Sequence, residues 1–324
     1  MKIVTLNTNP HLKDAAKEIY RVCFPEDANN EEYLSFFFSK KINTKLSFLG
    51  MIDDKPVCAL YLITKMLNVG GGFLYFDFVV GAGTLPEYRN RGLMKELFAF
   101  AAKKAKSLMA LVPVSHEFYS KLGFFSINSV SESPITSNGA MDISTGLPSF
   151  FNNLYTSYGK SCDGKSIFLD RSVTSFYNKL LESEKGGLDI FYNNDGYALV
   201  DDDTVVETSL SETDLGKIPQ LIGKKLRKTL PLGAGKDFVM FFVNDIKGLL
   251  ESLSLEFIIN NLGIEGKQSF KIEDPFVKKN NVGFTVTPFK IDYSATNAVN
   301  YSISDFIIQL FHAKEREIYI TDEY

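Results

Sequence analysis

The stretch VVGAGTLPEYRNRGLMKELFAFA, residues 79–101, decides the fold. Its first six residues are apolar or small and read as the end of a β-strand. A polar loop, LPEYRNRG, follows, and LMKELFAFAAKKAKSLM then reads as a helix. Strong helix formers dominate that segment, and Leu93, Leu97, Phe100, Ala101 and Ala105 recur at helical period. A strand feeding a helix through a short loop leaves the first-turn amides without intrahelical partners, at the positive end of the helix dipole. Such an end binds anions. Gly92 offers no Cβ to obstruct a phosphate, and Arg89 and Arg91 supply charge-assisted donors for a pyrophosphate. Taken alone, RNRG is also what a solvated basic loop looks like. The glycine patterns GxGxxG and GK[ST] are both missing from the segment, so it matches neither a dinucleotide fingerprint nor a P-loop.

Outward from this segment the chain alternates helices and strands. Residues 2–6 form a short strand, HLKDAAKEIYRVCF an amphipathic helix, FPEDANN a turn and EEYLSFFFSKKI a second helix. LSFLG and PVCALYLIT flank Asp53-Asp54 as a hairpin, and ALVPV and HEFYSKLGFF follow the long helix. Residues 137–165, rich in Ser, Gly and Asn, mark one boundary, and PLGAGKDF (231–238) a second. Between them lie the helix FYNKLLESE and strands around GYALV and TVVETSL. Beyond them come FVMFFVND, a helix near IKGLLESL, strands in KQSFKIED and GFTVTPFKI, and the helix ISDFIIQLFHAKE.

With 324 residues, 45% hydrophobic and 23% charged, the chain can bury the cores of two or three domains. It holds no apolar run of about 18 residues and no signal-peptide pattern at the N-terminus. Cys23, Cys58 and Cys162 form no CxxC pair, which fits a reducing cytosol, so a cytoplasmic location is expected. Three histidines without HExxH spacing leave little material for a metal centre, and none is expected. The net charge of −4 speaks against a nucleic-acid partner and weakly favours a cationic small substrate.

Thr84 to Met94 resembles the acetyl-CoA motif of the GNAT acetyltransferases, [Q/R]xxGx[G/A], with Arg89 at its first position and Gly92 at its second. Met94 departs from the small residue usual at the last position. The resemblance implies a mixed, twisted sheet flanked by helices. In that family the strand before the loop splays from its neighbour and pairs with the pantetheine arm. Acetyl-CoA is thus expected on Ala82, Gly83, Thr84, Arg89, Asn90, Arg91, Gly92, Leu93 and Met94. A second signature of the family, fYxkxGF, is matched by Phe118-Tyr119-Ser120-Lys121-Leu122-Gly123-Phe124, Tyr119 lying 25 residues past Met94. Its tyrosine sits near the CoA sulfur. A phenol with a reference pKa of about 10 can protonate a departing thiolate, which makes Tyr119 the candidate general acid.

The layout resembles the branch of enhanced intracellular survival proteins. It implies a GNAT domain at 1–145, a shortened GNAT-like α/β domain at 146–235 and a sterol-carrier-protein-like α/β domain at 236–324. Relatives in the branch form oligomers, so a homo-oligomer is expected. They also end in an aromatic residue whose α-carboxylate serves as base, which here designates Tyr324. Glu26 and Asp27 in the first inter-helix turn, with Glu323, are candidates for an anionic cleft that receives a small-molecule or peptide amine. The expected reaction is direct acetyl transfer from acetyl-CoA to a primary amine, with an oxyanion held by a backbone N–H near Thr84. Two alternatives stand beside it: a ping-pong route through Cys23 or Cys58, and a non-catalytic protein that holds CoA or a lipid.

Overall fold

The computed structural model describes residues 1–295 and 297–321. The N-terminal part opens with β1 (Lys2–Thr5), α1 (Lys13–Cys23) and α2 (Glu31–Phe36), the last continuing as a π-turn over Phe37–Lys41. There follow β2 (Ser47–Ile52), β3 (Lys55–Val69), β4 (Gly72–Thr84), α3 (Leu93–Ala102), β5 (Leu108–Leu111), α4 (His116–Ser120) and β6 (Phe125–Ser126). The β2–β3 turn takes positive φ at both Asp53 and Asp54, the left-handed pair that a two-residue hairpin needs to match strand twist. Alternation along the strands sends Leu49, Tyr61 and Phe78 to one face with α1 and α2. Phe48, Leu60 and Leu62 go to the other face with Leu97 and Ala101 of α3.

The middle of the chain contributes β7 (Ser129–Pro134), β8 (Ser144–Thr145), α5 (Asn152–Ser161), β9 (Ile167–Leu169), α6 (Val173–Lys185), β10 (Asp189–Tyr192), β11 (Tyr197–Asp201), β12 (Thr204–Thr208), α7 (Glu212–Leu215), β13 (Lys225–Leu230) and β14 (Lys236–Asp237). Last come β15 (Met240–Val243), α8 (Ile246–Ser252), α9 (Leu255–Leu262), β16 (Gln268–Glu273), β17 (Gly283–Val286), β18 (Ile291–Asp292), β19 (Val299–Ser302), α10 (Ile303–Leu310) and β20 (Ile318–Tyr319).

Among the described residues these strands build three mixed α/β sheets. The first runs β1-β2-β3-β4-β5-β15-β6 with β9 on β3 and β20 on β9. The second runs β14-β7-β13-β12-β11-β10-β8, and the third β18-β17-β16-β19. The sheets cut across the linear divisions expected at 145 and 235. β7 opens the second sheet from within the first span, while β9, β15 and β20 return to the first sheet. β15 is buried along its whole length and pairs antiparallel with both β5 and β6. Without it, those two strands would each present an unpaired edge.

The first sheet is also broken on purpose at one place. β4 and β5 pair in parallel only at Asp77–Met109 and Phe78–Ala110. Beyond Phe78, β4 bulges: Tyr61 faces Val80 and Ala59 faces Gly83, so two residues of β4 oppose Leu60 alone. Gly81 takes φ +58 in that bulge, and a Cβ there would come within 2.8 Å of the Tyr61 ring. Only glycine satisfies both the conformation and the space. The bulge turns β4 away from β5 and opens a V between them.

Candidate active site

A cleft of about 680 Å³ occupies that V. Its floor is Val79 to Thr84 on one arm and Leu111 to Val114 on the other. Asn90, Gly92, Leu93, Met94 and Lys95 at the start of α3 close one end. Gly92 is the N-cap of α3 at φ +75, and no side chain caps the helix. The first helical bond runs from the Glu96 amide to the Gly92 carbonyl at 3.1 Å. The amides of Leu93, Met94 and Lys95 therefore precede any intrahelical acceptor, and a Cβ on Gly92 would meet nothing within 4 Å. This is an open anion cradle whose donors come from the backbone.

The two arginines of the loop act differently from the sequence expectation. Arg89 lines the cleft, but its Nε donates to the Thr84 carbonyl at 3.0 Å and so ties the loop back to the strand. Arg91 lies outside the lining residues; its Nη2 donates to the Glu87 carbonyl at 2.9 Å and its guanidinium stacks on Tyr88 at 5.1 Å. Both brace the loop. Lys95, a residue that the motif did not single out, lines the cleft.

At the other end Tyr119 reaches the cleft from α4 through a box of aromatic rings. Phe118, Phe98 and Phe124 stand 5.0, 5.9 and 5.7 Å from it, all edge-on. Burial pushes the Tyr119 phenol up to about 12, since the charged form loses water and gains no compensating charge. A phenol in that state stays protonated at neutral pH.

The opposite wall comes from α1 and α2 and went unmarked by motif except at Glu26 and Asp27. Tyr20, Cys23, Phe24, Pro25, Tyr33 and Phe37 line it with those two acids. Tyr20 packs on Phe24 and Phe37 at 4.6 and 4.7 Å, and its hydroxyl donates to Asp27 Oδ2 at 3.0 Å. Burial raises the Asp27 carboxyl above the usual range, with the Tyr20 hydroxyl opposing the shift. Helical spacing from Tyr20 to Phe24 was readable in α1, but a hydrophobic stripe has the same appearance whether it faces a core or a cleft.

The wall is anchored on the middle part of the chain. Asn30 caps α2 through its side-chain oxygen and donates its Nδ2 to the Lys185 carbonyl at 2.7 Å. Lys185 pairs with Glu32 at 2.7 Å, and Lys41 pairs with Glu182 in a buried contact. Cys23 is half-buried in the cleft, whereas Cys58 is buried on the far face of β3 and lies outside the lining residues. Burial raises both thiols, Cys58 to about 11. Of the sequence candidates, Ala82, Gly83, Thr84, Arg89, Asn90, Gly92, Leu93, Met94, Tyr119, Glu26 and Asp27 share one cleft. Glu323 and Tyr324 lie outside the described residues. Among the described residues no group of three or more His, Cys, Asp or Glu side chains could hold a metal ion, and no helix is long and apolar enough to cross a membrane.

Residues 8–127 match the family model described as the acetyltransferase (GNAT) domain. No curated protein matches the chain. Among solved structures, a probable N-acyltransferase from Enterococcus faecalis aligns over 100% of this chain and 99% of its own, at 15% identity and a TM-score of 0.67. A GCN5-related N-acetyltransferase from Anabaena variabilis aligns over 99% and 98%, at 14% identity and a TM-score of 0.65. Eis1 from Mycobacterium abscessus aligns over 95% and 89%, at 12% identity and a TM-score of 0.61. At such identities the likeness is one of fold, and it extends over the whole chain. The family match takes in the splayed strand and the open helix end, so the GNAT acetyltransferase assignment applies to residues 8–127.

Proposed function

We propose that the protein is an N-acetyltransferase that moves an acetyl group directly from acetyl-CoA to a primary amine of a small molecule or peptide. One observation carries this reading: a single cleft has backbone anion donors of α3 at one end, a protonated buried phenol at the other, and an aromatic–acidic wall facing both. In this scheme the Leu93 to Lys95 amides hold the pyrophosphate, and the β4 backbone at Ala82 to Thr84 pairs with the pantetheine arm. A backbone N–H near Thr84 faces the thioester oxygen where negative charge develops. Tyr119 gives its proton to the departing sulfur. Asp27 and Glu26 attract the cationic acceptor, and Tyr20, Phe24 and Phe37 offer ring faces to its charge and apolar body.

The base is proposed from the resemblance alone to be the α-carboxylate of Tyr324. An extension of several residues after Tyr324 should then lower kcat while leaving the KM for acetyl-CoA within about threefold, and unchanged turnover removes the assignment. The central test is a turnover screen of acetyl-CoA over polyamines, aminoglycosides, amino acids and lysine peptides. Tyr119→Phe is run beside the wild type. No turnover with any amine would refute the reading.

A further inference from the structure

The Tyr119 segment is held from outside its own domain. Its turn closes on the Tyr119 carbonyl, which accepts from the Leu122 amide at 2.9 Å and the Phe124 amide at 3.1 Å. Gly123 lies in this turn, and its Cα face is covered by the ring of Phe276; a Cβ on Gly123 would come within 2.7 Å of Phe276 Cγ. Phe276 sits in the link between β16 and β17, more than 150 residues further on. Phe124 packs on Tyr119 at 5.7 Å and on Phe242 of β15 at 5.2 Å. Two aromatic arms from the C-terminal part of the chain therefore press on one turn.

The link that carries Phe276 is fixed by side-chain hydrogen bonds. Asp274 Oδ1 accepts from the amides of Phe276 at 2.8 Å and Val277 at 3.0 Å. Its Oδ2 accepts from Asn280 Nδ2 at 2.9 Å. Asn280 is fully buried; its Nδ2 also donates to the Val243 carbonyl on β15 at 2.8 Å, and its Oδ1 accepts from the Ile246 amide at 2.9 Å. Val277 packs into the same apolar cluster as Tyr119. Phe276 itself is 51% exposed, so the ring gains only part of its burial from being there. A satisfied buried polar network makes the loop rigid, and the half-exposed ring at its tip is laid on the Gly123 backbone.

We infer that Phe276 is a positioning residue for Tyr119, and that the C-terminal sheet keeps the proton donor in line with the cleft through it. The inference rests on the assignment of Tyr119 as general acid. A misplacement of about 1 Å at a reacting group costs up to about 100-fold in rate.

The test uses the full chain labelled with 3-fluorotyrosine, with the Tyr119 fluorine resonance identified by its loss in Tyr119→Phe. Phe276→Ala should shift or broaden that resonance and lower kcat about 10- to 100-fold, with the KM for acetyl-CoA within about threefold. Phe276→Leu, which still covers Gly123, should restore both. Phe289→Ala, at a ring 90% exposed in the turn between β17 and β18, should change neither. An unmoved resonance in Phe276→Ala overturns the inference, whether or not kcat falls, and so does a failure of Phe276→Leu to restore it. If Tyr119→Phe keeps full turnover while Phe276→Ala still moves the resonance, the acid assignment fails and the positioning stands. Should Phe276→Ala lose the fold, the Phe276→Leu comparison decides.

Discussion

The cleft and the seam where the first and second sheets meet handle polar groups in opposite ways. In the cleft the strands are splayed, the helix end is uncapped, and the Tyr119 hydroxyl has no hydrogen-bond partner among the described residues. At the seam, Arg171 of the segment after β9 grips Glu207 of β12 with two bonds of 2.7 and 2.8 Å. Tyr197 donates to the same carboxylate at 2.5 Å and Thr321 at 2.6 Å, while the guanidinium stacks on Tyr158 at 4.6 Å. Arg171 is 4% exposed and Glu207 1%. The seam joins its polar groups to each other; the cleft leaves the first-turn amides of α3 and the Tyr119 hydroxyl open. The first region should thus be sensitive in rate and insensitive in stability, and the second the reverse.

Tyr119→Phe makes the largest break. It deletes one hydroxyl and leaves the ring in its aromatic box, so thermal stability should stay close to wild type. Removal of a general acid costs about 10²- to 10⁴-fold, which should fall on kcat with the KM for acetyl-CoA little changed. A comparable loss of melting temperature would show that Tyr119 is a seam-like residue after all.

Arg171→Met should do the converse. It leaves the Glu207 carboxylate buried without its cation, a change that costs about 3–5 kcal/mol, measurable by denaturant unfolding. The double replacement Arg171→Met with Glu207→Leu should cost less than the single one, because both charges then leave the interior together. A double variant less stable than the single would refute the account of a paired, saturated seam.

What the sequence disclosed and what it hid divide along the same line of locality. The strand–loop–helix unit at 79–101, the Asp53-Asp54 turn and the Tyr119 segment are legible because each is specified by adjacent residues with demanding backbone geometry. β15 stood in the sequence only as the apolar run FVMFFVND, with neither its strand nor its sheet legible. Met240–Val243 is apolar throughout, and such a run fits any interior slot. The bracing role of Arg91 was hidden for a different reason. A guanidinium can serve a phosphate or a carbonyl equally well, and only the position of Glu87 and Tyr88 decides. The aromatic wall from Tyr20 to Phe37 was hidden because its stripe is also what a core helix shows.

Asp27 sharpens the comparison on the cleft's side. Its carboxyl titrates above the usual range, so it loses its charge at a higher pH than an exposed aspartate does. Acceptor binding should weaken as pH falls through that raised value, seen as a rise in acceptor KM on the acid side with the KM for acetyl-CoA flat. Asp27→Asn should raise the acceptor KM about 10-fold at neutral pH, the size of one charge-assisted contact, and should erase the acid-side dependence. An acid-side rise that survives in Asp27→Asn would move the titrating group elsewhere.

The smallest effect is expected at Cys23, which puts the direct route against the ping-pong one. Its sulfur lies 2.8 Å from where a Cβ on Gly83 would be, so it borders the strand on which the acyl arm is proposed to lie. Location therefore favours it as a nucleophile, and electrostatics does not. Burial raises the thiol, and Arg89 beside it only partly opposes the shift. A thiol above its ordinary range is largely uncharged at neutral pH, and the thiolate is the reactive form. Cys23→Ser should hence keep kcat within about threefold, and initial-velocity lines for the two substrates should intersect. Parallel lines, with an acetyl group found on Cys23 by mass spectrometry, would establish the covalent route. The contrast with Tyr119 is instructive: burial keeps both groups protonated, which equips the phenol to donate a proton and disables the thiol as an attacker.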